Sequence, residues 1–545
     1  MAFNTFTDKS PPWSLTALDQ NFSFLGSLTD AFSGTALIGY KSSATGAVGR
    51  LLSAKLGDIV SVKDFGAKGD GVTDDWTAIQ AALNGGGKIV IPGAGNPTYL
   101  VSSANLTFVS NTELWIERGA TLLLSTRRLS AINVNDVQIH LDGNISSTNI
   151  NNTDSFPTDW AMRGIVEFGG TIASKSNRVG IEGPGRIFGD FVGTPSGAGT
   201  NNFNKGIVLT HVQNAWAKNL DVSGVKGEAI IHNGSADFAI DIVGNKIHDS
   251  NHDAISGQDT LGSSTLRIMG NTGWNCLNGV ESPCGEVQNN YMFNMVNNGY
   301  RFGGNTPADG NPVIYRNNTG FNNGNTGSGF ADFDLEGAGG GTTGLLICDG
   351  NASYNAGANA FVFQSMKTAI VTGNKAFGWA TTALGNAFGS GSIANVHVHG
   401  NSAQSEGAFS NGGYNMNGTT VSWGVNTYLG VTLPYLATGS VFGQVLRTSI
   451  PATITAATYS VLQTDTSIIA NRAGTVTLTL EAAANVPGKI IVVRTIQAQT
   501  VVSASSNVVP RAGGAAGTPI LAAAAGNWAL LQSDGTNWQN MAGTP

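Results

Sequence analysis

At 545 residues the chain is too long for one ordinary globular core, so it must form several domains or a long solenoid. Only 12% of the residues are charged and 74 are Gly, roughly half and twice the usual shares, so Asn, Ser, Thr and Gly must supply the surface. That surface, with a net charge of −7, argues against nucleic acid and suits hydrogen bonding to a glycan, and the β-branched and aromatic residues along the whole chain argue against disorder.

Residues 1–14 contain Asp8, Lys9 and a Pro pair but no apolar signal-peptide core, and no apolar run reaches membrane length. Export by the usual route and membrane insertion are therefore not expected; a chain with an extracellular-looking surface can also leave its cell by lysis, as a virion part does. Cys276, Cys284 and Cys348 are too few and odd in number for a disulfide framework, and read as buried thiols. Over residues 14–32, Leu15, Leu18, Phe22, Leu25 and Leu28 recur at three and four, which predicts a short helix with one apolar face for oligomerising or docking. A Gly/Ser-rich linker follows over 34–49.

Residues 61–83 read as a strand, a Gly/Asp turn, and a helix capped by Thr73 or Asp74 with Trp76, Ile79 and Leu83 on one face, stopped by Gly85-Gly86-Gly87. Such a helix covers the bare edge of a solenoid's first coil. Asp70, Asp74 and Asp75 are explained by turn and cap duty rather than by a bound cation, and neither metal nor cofactor is expected. The run Val62-Lys63-Asp64-Phe65-Gly66-Ala67-Lys68-Gly69-Asp70-Gly71-Val72-Thr73-Asp74-Asp75, continued by Ala78-Ile79-Gln80-Ala81-Ala82, resembles the opening segment of the pectate-lyase-like right-handed parallel β-helices. The preceding Leu51-Leu52-Ser53-Ala54-Lys55-Leu56-Gly57-Asp58 is similar to the lead-in of bacteriophage tailspikes. The resemblance implies a homotrimer on a phage tail that acts outside the cell, binding and often cutting a host surface polysaccharide.

Lys88-Ile89-Val90-Ile91-Pro92 and residues 113–124 continue as strands and turns, interrupted by polar insertions at 146–160 and 194–204 of the kind that line a solenoid's binding face. From residue 244 an Asn recurs with a large residue three positions on, as in Gly244-Asn245-Lys246-Ile247-His248-Asp249, Gly270-Asn271-Thr272-Gly273-Trp274-Asn275 and Gly350-Asn351-Ala352-Ser353-Tyr354-Asn355. The period of about 20 to 30 residues is that of a solenoid, and the absence of long Ala/Leu-rich amphipathic runs selects a β-helix over helical repeats. Asn is expected to bond its copy one coil above while the ring fills the inside of the corner. The repeat is expected to end near residue 418, before an Ala/Val/Thr-rich antiparallel β domain with a hairpin through Ser533-Asp534-Gly535-Thr536. The expected fold is thus all-β, a right-handed parallel β-helix with a short N-terminal capping helix and a small C-terminal antiparallel β domain. The expected divisions are a virion-attachment segment at 1–56, the β-helix at 57–430, and a domain for trimerisation or glycan binding at 431–545.

Aligned on the corner Asn, Ile255-Ser256, Val280-Glu281, Tyr300-Arg301, Phe333-Asp334 and Phe361-Val362 fall in register. Alternation then points Glu281, Arg301 and Asp334 outward as one column, and in Asp332-Phe333-Asp334-Leu335-Glu336 places three carboxylates on one face. Glu281 and Asp334, two coils apart, are separated by roughly 9 to 10 Å at the backbone. Inverting glycosidases need about 6.5 to 9.5 Å between carboxyl groups, so this pair is the expected acid and base, with Glu336 and Asp332 as substitutes. Arg301, Tyr300, His252, Asp253 and Trp379 are candidate substrate contacts. Two other readings remain open: a lyase with Arg301 neutralising an acidic sugar and Tyr300 or His252 as base, and a noncatalytic adhesin.

Overall fold

The computed structural model describes residues 39–148, 163–197, 205–258, 264–302, 312–324, 330–337, 344–379, 385–391, 393–404, 410–429, 433–442, 451–463 and 465–544. The helix expected over 14–32 lies outside them, as do most of the insertions expected at 146–160 and 194–204.

The central chain winds as a parallel β-helix with three short strands per coil. One coil consists of Ile255–Gln258, Leu266–Met269 and Thr272–Trp274, and the next of Val280–Glu281, Glu286–Gln288 and Tyr291–Phe293. Every one of these strands pairs in parallel with its counterpart in the next coil. The first and second strand rows belong to one 26-stranded sheet and the third row to a 14-stranded sheet. Within a strand, alternate residues face the core; in Leu345–Asp349 these are Leu346 and Cys348, and in Thr368–Thr372 Ala369 and Val371.

The register expected for the first row is the one observed: Ile255, Val280, Tyr300, Phe333 and Phe361 are aligned and buried. Their rings stack along the interior, Tyr300 on Phe333 and Phe333 on Phe361 at 4.5 Å, then Phe361 on Phe388 at 4.8 Å and Phe388 on Tyr414 at 4.9 Å. Cys276, Cys284 and Cys348 are buried free thiols.

The corner asparagines form a ladder. Asn245, Asn271, Asn290, Asn318, Asn351, Asn374, Asn401 and Asn426 are buried, and the side-chain amide of each of the first seven donates to the next residue's Oδ1 at 2.9–3.0 Å. The ladder extends to Asn426, past the end expected near 418; Val425 stands where the other copies have Gly or Asn before the ladder residue, so the pattern hid it. The rings do not fill the inside of the corner. His248, Trp274, Phe293, Phe321, Tyr354 and Phe377 form an outward column on the third sheet, and the inward positions are Ile247, Gly273, Met292, Gly320, Ser353 and Ala376. The third-row strand begins directly after the Asn, so alternation turns its second residue inward and its third outward.

The helix Trp76–Asn84 lies on the first coil with Ile79 and Leu83 fully buried. Its Gln80 acts on the sheet edge like an added strand, accepting from Thr107 N at 2.8 Å and donating to Thr107 O at 3.0 Å. Asp74 Oδ1 accepts the Trp76 backbone N–H at 3.1 Å, while Asp75 holds the preceding turn through Lys68 N and Gly69 N.

The C-terminal residues form a separate β core around Ile468, Leu478, Ile491, Leu531 and Trp538. The hairpin Trp528–Ser533 with Trp538–Gly543 is antiparallel as expected, and Asp534 Oδ1 accepts from Thr536 N and Asn537 N at 2.7 Å across the turn. The preceding strands are parallel, Ala452–Ile454 with Ser467–Ala470 and Thr458–Ser460 with Val476–Thr479, so the unit is mixed rather than wholly antiparallel. Successive strands alternate between two sheets, and a return to the same sheet after one strand in the other gives parallel neighbours.

Candidate functional site

The first strand row presents Ser256, Glu281, Arg301, Asp334 and Val362 as one outward column. Beside it runs a second polar column, Glu228, Asp253, Asn278 and Asn298, each two residues before an inward core residue. Backbone bonds from Ala229 N to Asp253 O, Ala254 N to Asn278 O and Gly279 N to Asn298 O stack these residues one per coil. Both columns are therefore consequences of a single parallel register.

Glu281 is 5% exposed, and Arg301 Nε lies 3.1 Å from its Oε2. Burial and then the neighbouring Asp253 raise the Glu281 pKa to about 8, against the opposing pull of Arg301. Asp253 is fully buried; burial opposes its charge, but His252, Arg301 and a 2.6 Å bond from Asn278 Nδ2 outweigh it and hold its pKa below the usual range. Of these two crowded carboxyls, Glu281 thus carries the proton and Asp253 the charge. His252 lies 3.4 Å from both Asp253 and Glu228, whose charges overcome burial and raise its pKa. Glu228 in turn pairs with the buried Lys205.

Further along, burial raises the Asp334 pKa while Arg301 and Asn298 Nδ2, at 3.3 Å, favour its charge. Glu336 shares the Asp334 strand face and accepts from Gln364; burial and the Asp334 charge push its pKa to about 7.

Three expected site residues are not on this face. Asp332 is fully buried inside the corner, accepting from Asn323 Nδ2 at 2.8 Å. It precedes the strand Phe333–Glu336 in a bend, so the alternation that places Asp334 and Glu336 outward does not extend to it. Tyr300 is a core residue whose hydroxyl shares its one proton between the carbonyls of Asn290 and Thr319, at 2.8 and 2.9 Å, and burial drives its pKa well upward. Trp379 is fully buried, with Nε1 donating to Gly385 O at 3.3 Å, so it offers no ring face to a sugar. The sequence reading overlooked Asn278, Asn298 and Lys205 as site residues. The first two were detectable, because each stands two residues before an aligned core position.

The buried Asp332 carries a prediction of its own. Burial raises its pKa from 3.8 to about 7, so between those values the unfolded chain has lost a proton that the native state keeps. Native stability conferred by this group is full below about pH 4 and is lost as pH rises through 7. Asp332→Asn should remove that slope, with the variant's melting temperature relative to the unmodified protein rising from pH 4 to pH 8. Parallel melting curves across this range would contradict the assignment.

Among the described residues no group of three or more His, Cys, Asp or Glu is arranged to hold a metal ion. No protein-family model matches the chain. A tail spike protein of an Escherichia phage is 51% identical over 70 residues, which are 13% of this chain and 8% of that protein. The match thus spans under a tenth of that relative's length. Among solved structures, the tailspike protein of E. coli bacteriophage HK620 in complex with pentasaccharide is 13% identical, covering 75% of this chain and 84% of that one with a TM-score of 0.46. The Azotobacter vinelandii mannuronan C-5 epimerase AlgE6 A-module is 15% identical, covering 71% and 98% with a TM-score of 0.47. PfbA, a surface adhesin of Streptococcus pneumoniae, is 16% identical, covering 70% and 91% with a TM-score of 0.44. By its own strand pairing the chain is a parallel β-helix, and over a short segment it is similar to a phage tail spike protein.

Proposed function

We propose that this protein is a bacteriophage tailspike that binds a host bacterial surface polysaccharide and cuts it by endo-glycosidic hydrolysis. The observation that carries this reading is the column Glu281, Arg301, Asp334, in which a carboxyl held protonated near neutral pH stands two coils from a second carboxyl. Glu281 is the general acid, giving its proton to the leaving glycosidic oxygen. Asp334 is the base: it takes a proton from the water that attacks the anomeric carbon on the opposite face, and Glu336 is its substitute. Arg301 orients both carboxyls and His252 contacts the sugar beside them, while the buried Asp253 sits behind His252 at 3.4 Å and holds it in place.

The hydrolase is preferred to a lyase because the two bases a lyase would use are ill suited to the task. Tyr300 is enclosed in the core, and the raised pKa of His252 favours its protonated form. The remaining assignments rest on the similarity to tail spike proteins: a homotrimer on the virion tail, residues 1–56 attaching to tail or baseplate proteins, residues 57–430 carrying the groove, and residues 431–545 clamping the trimer or contacting glycan.

The test is incubation with capsule or lipopolysaccharide from a bacterium that the protein binds, followed by reducing ends and ultraviolet absorbance in parallel. Hydrolysis releases reducing ends without an absorbing uronate. The rate should fall above about pH 8, as Glu281 loses its proton. Absorbing products would make the protein a lyase, and binding without release would make it an adhesin.

A further inference from the structure

We propose a second saccharide-binding site on the second strand row, around Trp216, that takes a neutral sugar unit and works apart from the acid column. A cavity of about 680 Å³ opens on this face, within the range of small-ligand sites. The Trp216 ring lies flat on the sheet because the neighbouring coil carries Gly180 at the paired position. A Cβ at residue 180 would stand 2.5 Å from Trp216 Cδ2 and 2.7 Å from Cε2, so one ring face rests on glycine backbone. The half-exposed ring lines the cavity, which leaves its other face for the apolar face of a pyranose. Trp115, two coils before Gly180 on the same row, is not available in this way: Lys88 Nζ sits 4.0 Å above its ring and His140 stacks on it at 4.1 Å.

The backbone that frames the cavity follows one pattern from coil to coil. Strands Ser176–Glu182, Val212–Lys218 and Phe238–Val243 pair on either side of Arg178, Asn214 and Ala239, which the register leaves out. All three have left-handed φ, of 53°, 47° and 54°. Each left-out residue faces another, so this is a left-handed turn stacked from coil to coil; it continues through Asp136 and Asn111, with φ of 58° and 61°, and all five residues line the cavity. Arg and Ala rarely adopt that conformation, so the surrounding structure must impose it.

Charge selects the ligand class. The lining holds Lys88, Arg178 and Arg267 against Glu113, Asp136 and Asp241, an equal number of each sign. Arg178 Nη2 is 2.7 Å from Asp136 Oδ2, and Arg267 Nη2 is 2.6 Å from Asp241 Oδ1. Each fixed pair offers hydroxyl groups a donor beside an acceptor and presents no net field to an acidic or phosphorylated chain.

The test is calorimetric titration of the full chain with neutral hexose oligomers (of glucose, galactose and mannose) and, in parallel, with oligogalacturonate. Neutral oligomers should bind the unmodified protein and Glu281→Gln alike, and bind Trp216→Ala roughly tenfold or more weakly. Gln138→Arg fills the cavity without removing the Trp216 contact on Gly180; it should lose the same affinity and keep its melting temperature. The proposal is overturned if no neutral oligomer binds, if only the acidic one does, or if both cavity variants bind as the unmodified protein does. A Trp216→Ala protein that changes oligomeric state yet binds saccharide normally would also overturn it, and would assign this face to contact between copies. Because Glu281→Gln serves as a control with an intact cavity, loss of cleavage activity and loss of this binding are read separately.

Discussion

Glu281→Gln is expected to slow polysaccharide cleavage by roughly 10²- to 10⁴-fold, the usual loss when a general acid is removed, while leaving the polysaccharide bound. The substitution keeps the side chain's size and an oxygen for Arg301, which approaches to 3.1 Å, but has no proton to give the leaving oxygen. Asp334→Asn should cost a comparable factor through loss of the base. The double variant should fall well short of the product of the two losses, because acid and base act on one transition state. Measuring turnover and binding separately decides the matter. If both single variants cut at the unmodified rate, the column is a surface ion-pair array and the chemistry lies elsewhere.

The second large effect concerns stability. Asn318 is buried in the middle of the amide ladder, where its Oδ1 accepts from Asn290 N and Nδ2 and its Nδ2 donates to Val287 O and Asn351 Oδ1. Asn318→Ala leaves these buried partners unmatched, at about 1–3 kcal/mol each before relaxation. The expected destabilisation is therefore several kcal/mol, well above that of Asn322→Ala, where a half-buried amide that donates to the exposed Asn294 is lost and a left-handed φ of 57° adds only modest strain. Comparing the melting of the two variants checks this. Equal losses would mean that water repairs the ladder and that the corner is less dry than its burial indicates.

How much of this was legible in the sequence depended on what each residue encodes locally. The coil period, the first-row register and the coil-to-coil asparagine bonds could be read because Asn recurs at a corner and apolar residues recur after it. The column Glu281, Arg301, Asp334 followed from that register alone. Asp332 was misread because a bend preceding a strand obeys no alternation, and no residue type announces where the bend ends. The rings at the corner were expected inside because large apolar side chains usually are; a three-residue strand beginning just after the Asn turns them out instead. Trp379 was misread because its burial depends on packing that the spacing of residues does not record. The pKa order within the Glu281 and Asp253 pair was not legible either, since it arises from desolvation and from contacts made across coils.

The amide ladder also bears on how such a chain can vary. Successive ladder residues are separated by 26, 19, 28, 33, 23, 27 and 25 positions, yet every rung closes at 2.9–3.0 Å. The corner therefore fixes the pitch, while the length of chain between corners is free to differ by more than ten residues. Insertions and deletions between rungs leave the register of the core intact, so the rim of the groove can be rewritten through length changes that a closed globular core would not survive.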